Sequence, residues 1–320
     1  MAFNPYLGSS VAIYLFGDGS DGDVTWTSAS SESLDTDKQY NNLTITGGTH
    51  STNGYKIRVN GTLTMSAGTI EDDGNNGSGS GAGTGTVSGA ARGAALVPSS
   101  ANNPGWLGRI SGPGGNGGAV NSSNDSTTNG EKPVSWTTDS GLGDGGSGGD
   151  GQNAVSNNQG GASVASLTAK SAFTRKFAAF FGRIIEAQDS WTTGGGSGGS
   201  GGGGAFHNGT STARSSGGGG GSGGGLVWIA ARNLNITGGS ITAKGGSGGN
   251  GTNANLDGGP GGGGGGGHVI VITQNDMGSF SESSRIDVSG GLAGANSSSG
   301  AASAGGVGAS RFFQVEGPGE

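Results

Sequence analysis

Residues 258–272 read GGPGGGGGGGHVIVI, so a run of glycine passes directly into an apolar, β-branched stretch that is typical of a β-strand. The surrounding residues 194–267 contain 34 glycines in 74 positions. Glycine loses more backbone freedom on folding than any other residue, so these runs fold only where a regular packing offsets that loss. We therefore predict that the glycine-rich stretches pack against one another and against strands.

Polyglycine II is a regular conformation that suits such runs. It has about three residues per turn and no internal hydrogen bonds, so its amides must bond to neighbouring chains. The absence of a Cβ lets those chains approach closely. Four segments have this composition, with a sparser set at 111–151: 194–204, 217–225, 245–251 and 258–267. The competing interpretation is a disordered linker, for which a Gly/Ser-rich composition is also typical.

Short alternating stretches in residues 17–74 predict a second kind of structure. Apolar and polar residues alternate there, as they do around Leu43 and Ile45, which indicates β-strands. Residues 42–49 (NLTITGGT) recur as 233–240 (NLNITGGS), with a looser third copy at 285–291. Each copy puts two apolar side chains on one strand face before Gly-Gly turns the chain, which predicts stacked β-rungs, as in a β-helix.

The predicted fold class is therefore mainly β, in three parts. These are an N-terminal attachment segment (1–16), a β-rung domain (17–74), and a glycine-rich polyglycine-II/β domain (75–320) with loop insertions at 99–140 and 189–216. Within the last part, 169–188 has Phe and Ile at helical spacing opposite Arg and Lys, which predicts one short amphipathic helix. Such a helix can lie on a membrane or dock a partner. The alternative is that it seals the rung stack or a subunit interface.

Composition and charge exclude several classes of protein. Only 29% of the residues are hydrophobic and 6% aromatic, which excludes a large conventional core. The net charge is −7 and the 15 basic residues are scattered, so we predict no nucleic-acid partner. There is no cysteine to form disulfides. The apolar run 11–16 is too short for a signal peptide or a membrane span, so we expect synthesis in a cytoplasm.

No motif predicts catalysis, a cofactor or a metal site. His50, His207 and His268 lack the spacing of metal ligands. G-x-S-x-G occurs at 145–149 and 195–199, but a Gly/Ser-rich chain produces that string by composition, and no Asp/His arrangement accompanies it. We therefore predict a protein that is not an enzyme and that binds no cofactor.

Isolated aromatic residues in polar, glycine-rich stretches are the candidate surface-binding residues: Trp106, Trp136, Trp191, Phe206 and the adjacent His207. Aromatic side chains give a large contact area at a low cost in conformational entropy, and they stack well on sugars. The alternative is that each tryptophan fills a gap in a core with few side chains.

Three stretches resemble the opening of glycine-rich bacteriophage virion proteins: 17–24 (GDGSDGDV), 40–45 (YNNLTI) and 53–63 (NGYKIRVNGTL). The later body resembles, in architecture, the distal tail-fibre adhesins of T-even-like phages, in which polyglycine-II helices form a sandwich and the loops between them bind the host receptor. The resemblance implies a virion protein that forms a homotrimer. It also implies other virion proteins and a host cell-surface glycan or outer-membrane protein as partners.

We therefore expect a tail-fibre or tail-tip adhesin located in the virion. The amphipathic segment and the NLxITGG repeats depart from the simple adhesin pattern, and they suit a capsid-decorating or head-fibre protein as the alternative. Two further alternatives are an ice-binding protein and a tailspike glycosidase. The first needs a flat face of small residues, and the second needs two carboxyl groups on opposite sides of a bound sugar.

Overall fold

The computed structural model describes residues 15–83, 114–119, 130, 199, 201–202, 205–206, 214–251, 258–278, 280–295 and 301–315. These residues are mainly β, which confirms the predicted class. The strands are β1 (Asp23–Trp26), β2 (Lys38–Tyr40), β3 (Asn42–Ser51), β4 (Lys56–Glu71), β5 (Ala82–Gly83), β6 (Ala205–Phe206), β7 (Arg214–Ser215), β8 (Leu226–Ile236), β9 (Ser240–Thr242), β10 (His268–Asp276), β11 (Ile286–Asp287) and β12 (Ala309–Gln314). One short helix, α1 (Glu282–Arg285), lies between β10 and β11.

Nine strands form one sheet in which every pairing is parallel. Neighbouring strands along its main path have the order β1-β3-β4-β8-β10-β12. In addition, β2 and β9 pair with β4, and β11 pairs with β9. Parallel neighbours cannot be joined by a tight hairpin, so the chain must travel round between them. Here it does so in stacked passes, which we call rungs: β1, then β2 with β3, then β4, then β8 with β9, then β10 with β11, and last β12.

A glycine turns the chain at the same corner of three successive rungs. Gly48, Gly68 and Gly239 have φ of 84°, 90° and 76°, in the left-handed region that other residues rarely adopt. The residues that follow them are in register, with Thr69 paired to Thr49 on one side and to Ser240 on the other. The second glycine of the predicted Gly-Gly turn therefore supplies the bend in both clear copies of the repeat.

The two clear copies of the repeat occupy equivalent rungs. Leu43 pairs with Leu63, and Leu63 pairs with Leu234, so a stretch without the full repeat lies between the copies. The looser copy at 285–291 occupies a different column, because Ile286 pairs with Ile241.

The core lies inside the rungs, in columns of identical or similar side chains. Leu43, Leu63 and Leu234 are fully buried, as are Ile57 and Ile229 in the neighbouring column. Burying each such side chain stabilises the fold by about 1.5–3 kcal/mol.

A second cluster covers the outer face of β8 and β10, where Phe16 packs with Trp228 and Ile270. Phe16 belongs to the predicted attachment segment, so that segment ends against the sheet. Residues 1–14 lie outside the described residues, as does the predicted helix 169–188. The predicted domain boundaries stay predictions.

Eight glycine-rich segments flank the rungs, and their backbones hydrogen-bond to one another. Along 216–225, successive backbone N–H groups donate in turn to segments 72–81, 114–118 and 258–267, at 2.7–3.0 Å. This order of acceptors repeats every three residues. The other segments are 243–251, 288–295, 301–308 and the described residues 199, 201 and 202. Segments 216–225 and 258–267 are buried throughout.

Side-chain oxygens supply acceptors where these segments reach the surface. The Lys244 N–H donates to Asp73 Oδ1 and the Ser247 N–H to Asn76 Oδ1, both at 2.7 Å. The Ala295 N–H donates to Asn250 Oδ1 at 2.9 Å. Backbone donors at the edge are satisfied in this way, as buried or half-buried amides require.

Candidate functional site

The glycine-rich segments connect the rungs to a distal end of the molecule. Segments 72–81 and 243–251 follow the ends of β4 and β9, whereas 216–225 and 258–267 lead into β8 and β10. The outgoing and returning segments are antiparallel and hydrogen-bonded, as in Ser216 N–H to Gly81 O at 2.9 Å. The residues that join an outgoing segment to a returning one therefore begin at the end of the segments that is farthest from the nine-stranded sheet. We call this the distal end, and we call the nine-stranded sheet the coiled sheet.

A small antiparallel sheet lies at this distal end. It has the order β5-β7-β6, with Ala82 and Ala205 both paired to Ser215. The backbone of Phe206 lies in β6 and pairs with Arg214. Of the five predicted binding residues, Phe206 is the one whose backbone the structure describes.

Trp106, Trp136, Trp191 and His207 lie outside the described residues, but the points where their segments begin are described. Residues 84–113 leave β5, and residues 207–213 connect β6 to β7. Residues 131–198 leave Gly130, which lies against Gly201 O near the same end. The structure brings the starts of these segments together.

The other two tryptophans have structural roles. Trp26 is 2% exposed and stacks on His50, with the ring centroids 4.6 Å apart. His50 Nδ1 accepts the Glu32 N–H at 3.2 Å, and Nε2 lies 2.8 Å from Gly47 O, so both ring nitrogens have partners. This histidine is therefore a satisfied core residue.

Trp228 lies beneath two cations on the outer face of the sheet. Lys56 Nζ is 5.8 Å and Arg58 Cζ 5.6 Å from its ring centroid, and Arg58 also pairs with Asp37 at 3.3 Å. Burial lowers the pKa of Lys56 to about 8, an effect that Asp37 opposes. Sequence reasoning missed this cluster, because its members lie 172 positions apart in the Lys56–Trp228 pairing.

The aspartates near the N-terminal end are engaged in turn structure. Asp23 Oδ1 accepts hydrogen bonds from the side chains of Asn41 and Asn42 at 2.7 and 2.9 Å, and these bonds lower its pKa. Asp18 accepts the Ser20 N–H at 2.9 Å. Within the described ranges no group of three His, Cys, Asp or Glu side chains is arranged to hold a metal ion.

Asp72 is the most perturbed acid, and it lies where the coiled sheet meets the glycine-rich segments. Its Oδ2 accepts the Leu226 N–H at 2.9 Å, and its carbonyl accepts the Gly225 N–H at 2.7 Å. Burial raises the pKa of Asp72 to about 7, with Asp73 and Glu71 acting in the same direction and the Leu226 N–H opposing them. One carboxyl group thus joins the start of the outgoing segment to the end of a returning one.

We expect Asp72→Asn to make the protein more stable at pH 8. The folded pKa lies above the unfolded value, so the stability that this carboxyl contributes is full below about pH 4 and is lost as pH rises through 7. Asparagine keeps an acceptor oxygen and has no charge to bury. If half of the shift is realised, the gain is about 2 kcal/mol. Urea unfolding at pH 5 and pH 8 measures it, and Asp35→Asn, at an exposed site, is the control. An equal effect of Asp72→Asn at both pH values would contradict this.

No described helix has the length and hydrophobicity that crossing a membrane requires. Comparison with protein families finds no family model that matches this chain. Neither the curated proteins nor the solved structures include a significant match to it.

Proposed function

We propose that this chain is a bacteriophage virion structural protein, a tail-fibre or tail-tip adhesin. In this proposal the coiled sheet is the base, the glycine-rich segments form a block of polyglycine-II helices, and the segments at the distal end bind the host surface. The observation that carries the proposal is the position of those segments, since those that contain the predicted aromatic residues begin at the distal end.

Three observations support polyglycine-II helices in the block. The threefold rotation of hydrogen-bond partners along 216–225 matches a helix with about three residues per turn. The positive-φ glycines among the described residues are Gly17, Gly19, Gly22, Gly48, Gly54, Gly68 and Gly239, all outside the block. A Cβ added at Gly221 or Gly264 would overlap a backbone oxygen of the adjacent segment. At about 3.1 Å per residue, a nine-residue segment would carry the connecting segments roughly 28 Å from the sheet.

The proposed partners follow from the chemistry of the connecting segments. Tryptophan and phenylalanine among Asn, Ser and Gly suit contact with a cell-surface glycan or with an outer-membrane protein. Other virion proteins are the partners of the base. Because the net charge is −7, attraction to an acidic surface contributes nothing to this binding.

We expect the triple variant Trp106→Ala, Trp136→Ala, Trp191→Ala to lose most of its binding to host cells. The fluorescently labelled full chain is first sedimented with a panel of bacteria to find a strain that binds it. Removing aromatic anchors costs about 1–2 kcal/mol each or more, so at least a tenfold loss of affinity is expected. Leu292→Ala, at an exposed site away from the distal end, is the matched control.

Two results would count against the adhesin. The first is unchanged binding by a triple variant whose far-UV spectrum and melting temperature equal those of the parent. It would mean that the three tryptophans do not bind the host surface. Immunogold labelling of intact particles tests the position in the virion, and label over the head instead of the tail favours the capsid-decorating alternative.

A further inference from the structure

The outer face of the coiled sheet is apolar where β8 and β10 lie side by side. Alternate residues of these two strands point to it and belong to the second buried cluster: Leu226, Trp228, Ala230, Ile270 and Ile272. Each of them is at most 3% exposed. The residues between them belong to the inner core, so both faces of the sheet are buried here, as is usual for parallel strands. Part of the chain must therefore cover the outer face.

The described residues supply too little of this cover. Apart from the sheet itself and Val315, which directly follows β12, the described members of the cluster are Leu15 and Phe16. Leu226 and Ala230 are about 13 Å apart along β8, and β10 adds a second strand about 4.8 Å away. Two side chains cannot bury an area of this size. The rest of the cover must come from residues outside the described ranges.

The backbone of Leu15 and Phe16 indicates which residues these are. Both residues are helical, and Gly17 follows them with a φ of 80°, the left-handed conformation that commonly ends a helix. A helical residue donates its N–H to the carbonyl four positions earlier, so a helix that ends at Phe16 begins before Leu15.

The sequence before Leu15 suits such a helix. Asn4 and Pro5 are, in that order, a favoured N-cap and a favoured first helical residue. A helix over residues 5–16 would be about 18 Å long, which is enough to span the outer face of β8.

The small residues of this segment fall on the side of the helix that carries Leu15 and Phe16. Ala12 lies about one turn before both of them, and Gly8 lies about two turns before them. Small residues in the middle of a helix face let the helix lie close to a sheet. Ser10 falls on the opposite side of the same helix.

Charge distinguishes this segment from the other apolar candidate, residues 169–188. Three cations lie around the outer face: Lys56 and Arg58 over Trp228, and Arg232 with its Cζ 5.8 Å from the centroid of the Phe16 ring. Residues 1–16 contain no charged side chain, whereas 169–188 contain four basic residues and one acidic residue. Burying further cations beside these three is costly, so the uncharged segment fits the face better.

We propose that residues 5–14 continue the helix that ends at Phe16 and lie along the outer face of β8 and β10. The segment predicted to attach the chain to other proteins is then a fixed part of the coiled sheet. It seals an apolar surface that would otherwise associate with other apolar surfaces. Gly17 turns the chain from this helix into the first rung, at a position where a Cβ would come within 3.0 Å of Arg58 Cβ.

A pair of lysine substitutions in the full chain tests this position. Ala12→Lys places a cation between the helix and the sheet, and it is expected to lower the melting temperature by about 5 °C or more. It is also expected to raise the fluorescence of added anilinonaphthalene sulfonate several-fold, because this dye binds exposed apolar surface. Ser10→Lys, on the opposite side of the helix, is the matched control and is expected to change neither. Equal effects of the two substitutions, or no effect of Ala12→Lys, overturn the proposal.

Photo-cross-linking identifies the cover even where Ala12→Lys fails to fold. The probe p-benzoylphenylalanine replaces Val11, at the edge of the proposed contact, and is expected to form cross-links to β8 or β10 of the same chain. The same probe in place of Ser10 is expected to form none to these strands. Mass spectrometry of tryptic peptides, from a mixture of isotope-labelled and unlabelled chains, separates links within a chain from links between chains. Cross-links from position 11 to residues 169–188 or to a second chain, or none to either strand, overturn the proposal.

Discussion

Gly264→Ala is expected to destabilise the protein by about 3 kcal/mol, although it adds a single methyl group. Gly264 is buried in the glycine-rich segment that leads into β10. Its amide donates to Gly246 O at 2.8 Å, and its carbonyl accepts the Gly291 N–H at 2.7 Å. A Cβ at this position would overlap the carbonyl of Ser222 in an adjacent segment. Backbone cannot turn aside as a side chain can, so the segments must separate and lose hydrogen bonds.

A matched pair at the edge of the same block isolates the steric cause. A Cβ at Gly77 would lie 2.8 Å from Gly220 O and closer still to Gly219 O. A Cβ at the exposed Gly79 would meet only Asn250 O, at 3.8 Å. Gly77→Ala is therefore expected to destabilise, whereas Gly79→Ala is expected to be neutral or to stabilise by about 0.4–1 kcal/mol through the unfolded state.

Urea unfolding followed by circular dichroism measures all three variants. Equal midpoints for Gly264→Ala and Gly79→Ala would mean that the segments are not in close contact. The same result would remove the support for the polyglycine-II block, and the linker interpretation of the composition would replace it.

The strands of the first rungs could be predicted from local sequence. Alternation around Leu43 and Ile45 indicates a half-buried strand because side chains on a strand point alternately to opposite faces. The Gly-Gly after each clear repeat predicted a turn, and Gly48 and Gly239 do adopt positive φ there. These features depend on neighbouring residues, so a local pattern is sufficient to predict them.

The stacking order and the environment of Asp72 could not be predicted in this way. Leu63 lies between the two copies of the repeat, although its stretch lacks their Asn-Leu start and Gly-Gly end, and its partner Leu234 is 171 positions away in the chain. Glu71, Asp72 and Asp73 look alike as a solvated acidic run. Asp72 is the buried member because it directly follows the end of β4 and its carboxyl group accepts the Leu226 N–H. Long-range register leaves no signal in a single sequence.

The aromatic residues proposed to bind the host surface were chosen for their isolation among glycine and polar residues. That criterion does not select Trp26 and Trp228, which lie in strands and are buried. It gives no information on distance, because the segments that contain Trp106 and Trp191 are joined to the distal end by long connections. The structure adds the position of that end, which the sequence did not provide.

Leu63→Ala is expected to destabilise the protein by about 3–4 kcal/mol. Leu63 is fully buried at the centre of the column that Leu43 and Leu234 complete. Truncation removes its own transfer free energy and leaves a cavity between two rungs. Parallel rungs are tied by hydrogen bonds on both sides of β4, so they cannot close the gap freely and the cavity term is retained. The cost should therefore lie near the middle of the range of about 2–5 kcal/mol for such substitutions.

Thr64→Ala is the control, because Thr64 is the next residue of the same strand and its side chain lies on the opposite, partly exposed face. Its effect should be within about 1 kcal/mol. Unfolding followed by tryptophan fluorescence, to which Trp26 in the same core contributes, reports on both variants. A small effect at Leu63 equal to that at Thr64 would mean that the column does not carry the fold. The base of the proposed adhesin would then need another source of stability, since the glycine-rich block offers few side chains to bury.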